Sequence, residues 1–172
     1  MKEALSSLLP LFSRRPKVKT VYSVSVYIDT KRNILIIPTA KNEHGIRMSV
    51  NHPQKLVWQG DNYLELGEKF LEAYHVSATH PPIKRDEAVK VYAVATGIKS
   101  WSRFAREHQM ISVVMVKEDP KFKIEFWKRQ PDNSFGNDME DVLPTRELPE
   151  DATAEEIGRA IIDVYTEAGV LG

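Results

Sequence analysis

The chain has no cysteine in its 172 residues. That absence excludes disulfides, thiolate zinc sites and cysteine nucleophiles, and it suits a reducing compartment. Long apolar runs are missing too. No stretch of about 18 apolar residues exists, so nothing reads as a membrane-spanning helix. The opening MKEALSSLLPLFSRRPKVKT holds a short apolar run broken by Pro10 and no small-residue cleavage site; it reads as an amphipathic helix. A cytoplasmic location is the expectation. Glycine is scarce, with eight residues and no cluster, and no P-loop, G-x-G-x-x-G or G-x-S-x-G sequence is present. The histidines are His44, His52, His75, His80 and His108, and no pair has the i, i+4 spacing of a helical metal site. No nucleophile or acid–base pair is motivated. The expectation is a protein that is not an enzyme and holds no metal or cofactor. Net charge is also lacking: 24 basic and 24 acidic residues cancel, which weakens a general claim on nucleic acid.

What is present is an uneven spread of that charge. Residues 1–60 hold ten basic and three acidic side chains, a balance of plus seven. Residues 132–156 hold one basic and nine acidic, a balance of minus eight. A segment so acidic can steer a basic partner. It can equally be a solvated loop followed by acids at a helix start, where they favour the dipole.

A phrase also occurs twice. LGEKFLEAY runs from Leu66 to Tyr74, and IGRAIIDVY runs from Ile157 to Tyr165, 91 residues later. Leu66, Phe70, Ala73 and Tyr74 share one helical face, as do Ile157, Ile161, Val164 and Tyr165. Gly67 and Gly158 occupy matching positions although glycine costs a helix about 1 kcal/mol against alanine. Close approach of each helix to a sheet would explain them. Asn62 with Glu65, and Thr153 with Glu156, have capping-box spacing. Upstream, SVSVY at Ser23–Tyr27 matches SVVMV at Ser112–Val116, with strand alternation in both. Polar turns follow, DTKRN from Asp29 and EDPKF from Glu118, and then returning strands in which Leu35 and Ile37 correspond to Ile124 and Phe126. A short strand is expected at Leu56–Trp58. GIKSWSRFAREH reads as a short helix capped by Ser100, and DEAVKVYAVATG as a helix ended by Gly97.

The expected fold is α+β: a single domain over residues 1–172, built from two similar hairpin-plus-helix halves at about 1–77 and 87–172. A linker at 77–86, with Pro81 and Pro82 forbidding helix, joins them. The halves form an antiparallel sheet packed by helices, each covering the apolar face that the other cannot bury alone.

Candidate binding residues come from two places. The segment PDNSFGNDMEDVLPTRELPED is long for a connection within a compact domain, which marks it as functional or as merely solubilising. Asp138, Glu140, Asp141, Glu150 and Asp151 are its candidates for a negative patch. Trp127 either covers the far side of the sheet or stands at an interface, where tryptophan is enriched. Trp101 and Phe104 read as staples that hold their short helix to the core. Tyr74 and Tyr165 read as core residues with the hydroxyl at the rim.

GIKSWSRFAREHQMISVVMV, followed by LPTRELPEDATAEEIGRAII, resembles the immunity proteins of bacterial contact-dependent growth inhibition systems. The likeness spans most of the chain and is strongest from Gly97 to Tyr165. It implies a small cytoplasmic protein that binds and blocks the C-terminal toxin domain of a cognate effector. It implies a nuclease as the toxin, no direct contact with nucleic acid or membrane, and a monomer or weak dimer. It assigns no contact residues. The zero net charge departs from the acidic balance expected of many nuclease inhibitors, and the local minus eight partly restores it. The other readings are a generic protein-binding module, a nucleic-acid binder using Arg14, Arg15, Lys17 and Lys19, and a small enzyme.

Overall fold

The computed structural model describes residues 19–138, 140 and 142–172. The amphipathic helix expected at the start, Arg14, Arg15, Lys17, and Asp141 of the acidic set lie outside the described residues.

Alternating apolar residues build two long hairpins. β1 (Val21–Asp29) pairs with β2 (Asn33–Lys41), and β5 (His108–Val116) pairs with β6 (Asp119–Arg129). β1 and β5 join them antiparallel at the centre, where Val24 lies opposite Val113. β3 (Arg47–Ser49) and β4 (Gln54–Val57) extend the sheet from β2. β7 (Phe135–Gly136) and β8 (Thr145–Pro149) extend it from β6. The result is an α+β architecture with a curled antiparallel sheet of eight strands among the described residues, in the order β3-β2-β1-β5-β6-β7.

One face of this sheet is covered by α1 (Tyr63–Thr79) and α4 (Ala154–Glu167). Val24, Val26, Ile28, Ile34, Ile36, Ile111, Val113 and Ile124 meet Leu66, Phe70, Ile157, Ile161 and Tyr165 there, all nearly or fully withdrawn from water. The other face is only partly covered, by the short helices α2 (Val91–Thr96) and α3 (Trp101–Glu107). Tyr27, Leu35, Ile37, Val91, Phe104 and Met110 form the smaller core beneath them. Tyr27 packs its ring edge-on against Phe104, and burial pushes its hydroxyl pKa up to about 12.

The two glycines act differently from expectation. They serve a helix–helix contact, not a helix–sheet one. A Cβ on Gly67 would stand 1.7 Å from the carbonyl oxygen of Ala154, and one on Gly158 would stand 2.0 Å from that of Tyr63. Each helix thus lays its glycine on the first residue of the other, and only a hydrogen fits at either point.

Other expectations need correction. Leu35 and Ile37 lie in the smaller core, whereas Ile124 and Phe126 face α1 and α4. The returning strands are therefore out of phase, because the first hairpin turns through Asp29–Asn33 and the second through Lys117 and Glu118 alone. In a strand of period two, one residue of slip reverses the face. The turn expected at EDPKF is accordingly shorter, and Pro120 stands in the outer end of β6. Thr153 and Glu156 form a capping box, but Asn62 makes no cap bond to α1. Its carboxamide instead accepts from the Gln59 N–H at 2.9 Å and donates to the Val57 carbonyl and to Glu65. These differences leave an internal duplication unshown by the fold. The linker also begins later than expected, since α1 continues to Thr79 and buries Ser77. Ile83, within that linker, is buried and donates its N–H to the Lys41 carbonyl at 2.9 Å.

Candidate protein-binding surface

The acidic segment is folded, not a plain loop. β7 and β8 lie within it and both pair with β6. Leu148 points its side chain into the main core, which alternation along β8 makes possible while Glu147 and Pro149 stay exposed.

Eight of the nine acids of residues 132–156 are among the described residues, and they divide into two groups. Four serve the protein's own structure. Asp132 accepts from both the N–H and the hydroxyl of Ser134, and those bonds hold its carboxyl below the usual range. Glu147 pairs with Lys121 at 2.8 Å, and Glu155 pairs with Arg159 at 2.6 Å. Glu156 accepts from the Thr153 N–H at 2.7 Å, and its pKa is lowered by that backbone bond first and by the Thr153 hydroxyl second. Asp138, Glu140, Glu150 and Asp151 form no hydrogen bond or ion pair with the described residues, and all four are exposed. Asp138 and Glu140 precede β8 while Glu150 and Asp151 follow it. The carboxylates thus stand before and after a five-residue strand. Glu150 lies near Tyr74, whose hydroxyl pKa is raised by burial first and by Glu150 second.

Trp127 stands on β6, on the side facing α3, half-buried against the smaller core near Phe135. Its indole N–H is buried and has no acceptor among the described residues, and the side-chain amide nitrogen of Gln130 is in the same state. Unpaired buried donors are rare in native proteins. Trp101 packs on Phe104 and donates its N–H to the Asn133 carbonyl at 2.9 Å, tying α3 to the start of the acidic segment. Phe104 is fully buried, as its reading as a staple requires. The Tyr165 hydroxyl is a correction: it is not at the rim but buried, donating to the Val26 carbonyl at 2.7 Å.

A cleft of about 450 Å³ lies elsewhere, between β2, β4 and α2. Its polar groups are engaged. Asp29 accepts from the Lys31 and Asn33 N–H groups and from the Asn33 side chain. Glu107 binds Arg103 at 2.7 Å, and the Lys55 ammonium donates to the Ala95 carbonyl. His108, 5% exposed, points Nδ1 at the Phe104 carbonyl at 2.8 Å, which makes that nitrogen the donor. Each of these bonds holds a local turn or helix end. The sequence signal that separates such committed groups from free ones is short-range: Asp-x-Ser at 132–134 and Thr-x-x-Glu at 153–156 both announce self-satisfied carboxylates.

Among the described residues no group of three or more His, Cys, Asp or Glu side chains is arranged to hold a metal ion. No helix among them is long and apolar enough to cross a membrane.

No protein-family model matches the chain, and no curated protein sequence does. Solved structures do. A protein of unknown function from Neisseria meningitidis, 16% identical, matches over 86% of this chain and 95% of its own with a TM-score of 0.63. A chain of the CdiA-CT/CdiI toxin and immunity complex from Yersinia pseudotuberculosis, 12% identical, matches over 86% of this chain and 97% of its own with a TM-score of 0.61. The resemblance to growth-inhibition immunity proteins that the sequence carries thus has a counterpart in three dimensions, and at these identities the likeness is one of fold.

Proposed function

We propose that the chain is an immunity protein that binds the C-terminal toxin domain of a cognate contact-dependent growth inhibition effector and neutralises it. The carrying observation is the likeness in fold, over 86% of this chain, to a chain of a toxin and immunity complex. The physics of the role agrees with the surface. An inhibitor needs a rigid scaffold and a patch of roughly 800 Å² per partner, with no catalytic group of its own. The free carboxylates Asp138, Glu140, Glu150 and Asp151 supply uncompensated negative charge on both sides of β8. With Asp141 and Trp127 they constitute the proposed toxin-binding face. Such a face speeds capture of a basic partner, and a nuclease is the fitting toxin. On this reading the protein works in the cytoplasm, as a monomer or weak dimer, and touches no nucleic acid itself.

A small enzyme is the second reading, and the 450 Å³ cleft is the observation in its favour. The engagement of Asp29, Glu107 and Lys55 in structural bonds tells against it.

The test uses the large protein encoded immediately upstream. Its C-terminal region is expressed with and without this chain, growth is scored, and the purified pair is titrated by calorimetry. Rescue of growth with a Kd of about 1 nM, some 12 kcal/mol of binding, is the expected result. An upstream product that neither harms the host nor binds overturns the function. The face is tested separately by Glu140→Lys with Glu150→Lys, which should slow association several-fold and flatten its salt dependence. An unchanged association rate removes the face while leaving the function standing.

A further inference from the structure

The positive half of the charge asymmetry has no place in that reading. It has a structural focus at the opposite edge of the sheet. Arg47 on β3 lies directly across from Lys41 on β2. Like charges in register destabilise a strand pair, and both side chains are half-buried. Among the described residues no carboxylate pairs with either. The Arg47 guanidinium donates to the Val21 carbonyl and to the Thr39 hydroxyl at 3.3 Å, both neutral acceptors. Burial lowers its pKa, and no acid offsets the effect. Lys41 has no hydrogen-bond or ion-pair partner at its ammonium among the described residues. His80, the C-cap of α1, stands beside them, with Nδ1 at 2.6 Å from the Pro81 carbonyl and committed to it. Arg47, Lys41 and His80 line one cavity of about 150 Å³ together with Thr20, Tyr22 and Ser77, and no acidic residue lines it.

Folding thus places two cations side by side, partly withdraws them from water and, among the described residues, sets no carboxylate against them. A group held at such a cost points to a ligand that repays it. We propose that this cavity is an oxyanion site that takes a phosphoryl group. Two cationic donors, the Lys41 ammonium on β2 and the Arg47 guanidinium on β3, enter it from facing strands. A tetrahedral phosphoryl group offers an oxygen to each, whereas a planar carboxylate is served by a single guanidinium fork. The site is independent of the toxin-binding reading and stands or falls without it.

The probe is inorganic phosphate, added to the full chain at fixed ionic strength balanced with chloride. At about ten times its Kd it should raise the unfolding midpoint by about 3 °C. Arg47→Gln should abolish that rise, and Lys41→Gln should cut it. Amide NMR of the unaltered protein should confine the phosphate-induced shifts to Thr20–Tyr22, Lys41, Arg47 and Ser77–His80, which keeps the test decisive if Arg47→Gln unfolds. A parallel arm with adenosine monophosphate separates the sources: a response to both assigns a phosphate ester terminus, and a response to phosphate alone assigns the free anion. Equal midpoint rises in the variant and the parent, an equal response to acetate, or amide shifts mapping elsewhere would overturn the site.

Discussion

α1 and α4 carry the same apolar spacing and the same glycine, yet they begin differently. Thr153 closes a reciprocal box with Glu156, while Asn62 gives its carboxamide to Gln59, Val57 and the Glu65 side chain, and none of it to a backbone N–H of α1. The hydroxyl of Thr153 has one short reach. The carboxamide of Asn62 reaches further, and the end of β4 with the loop after it offers it two backbone groups. Apolar spacing therefore passes unchanged into tertiary contact in both helices, because burial is indifferent to direction. Polar spacing does not, because a hydrogen bond goes to whichever partner the local backbone presents.

The sharpest way to break the comparison is at the glycines. In an ordinary helix interior, glycine to alanine stabilises by about 1 kcal/mol. Here the new methyl would meet a backbone carbonyl at 1.7 Å in Gly67→Ala and 2.0 Å in Gly158→Ala. Backbone cannot rotate away as a side chain can, so α1 and α4 must separate. Each variant should lose about 3 kcal/mol or more by urea unfolding. A gain in either would show that the helices do not touch there.

A smaller effect separates the matched tyrosines. Tyr165→Phe removes a buried hydrogen bond to the Val26 carbonyl and should cost about 1–1.5 kcal/mol. Tyr74→Phe removes only a contact to the Met115 sulfur at the half-buried end of α1 and should cost under about 0.5 kcal/mol. Equal losses from the two would contradict the difference in burial.

At the caps, Thr153→Ala should cost about 1 kcal/mol and fray the start of α4 in amide exchange. Asn62→Ala should instead raise exchange at Gln59, ahead of α1, where its acceptor is lost.

The smallest effect is a pH dependence. Glu156 has its pKa lowered by the Thr153 N–H. A depressed carboxyl contributes stability that is present above its unfolded value and is lost as pH falls through its folded value. Its unfolded value is near 4.5, so the loss lies below about that pH. Glu156→Gln should remove this part of the acid-induced loss and leave the slope at neutral pH unaltered, as followed by midpoints between about pH 3 and pH 7.

Much of the fold was legible. The central strands, α1, α3 with its Ser100 cap, and α4 with its box follow from period-two alternation, period-3.6 spacing and short-range caps. The parity of the returning strands was not legible, since a hairpin turn of two residues and one of several look alike in composition but reverse the inward face of Leu35 relative to Ile124. β7 and β8 escaped detection because they are short, polar and paired only through β6. For the candidate surface, the sequence marked the acidic stretch. It could not mark that Asp138, Glu140, Glu150 and Asp151 would stay free while Lys121 and Arg159 claimed Glu147 and Glu155.

The sequence by itself determined the α+β class, the apolar faces of the helices and the charge asymmetry, because periodicity and composition are local properties that survive any packing. Only the tertiary structure decided that Gly67 and Gly158 serve each other's helix, that the Trp127 N–H has no acceptor among the described residues, and that Arg47 and Lys41 share a cavity lined by no described acid. Those outcomes depend on which distant segments meet. Contact across β2, β3 and the end of α1 is set by register and crossing geometry, which no local pattern encodes.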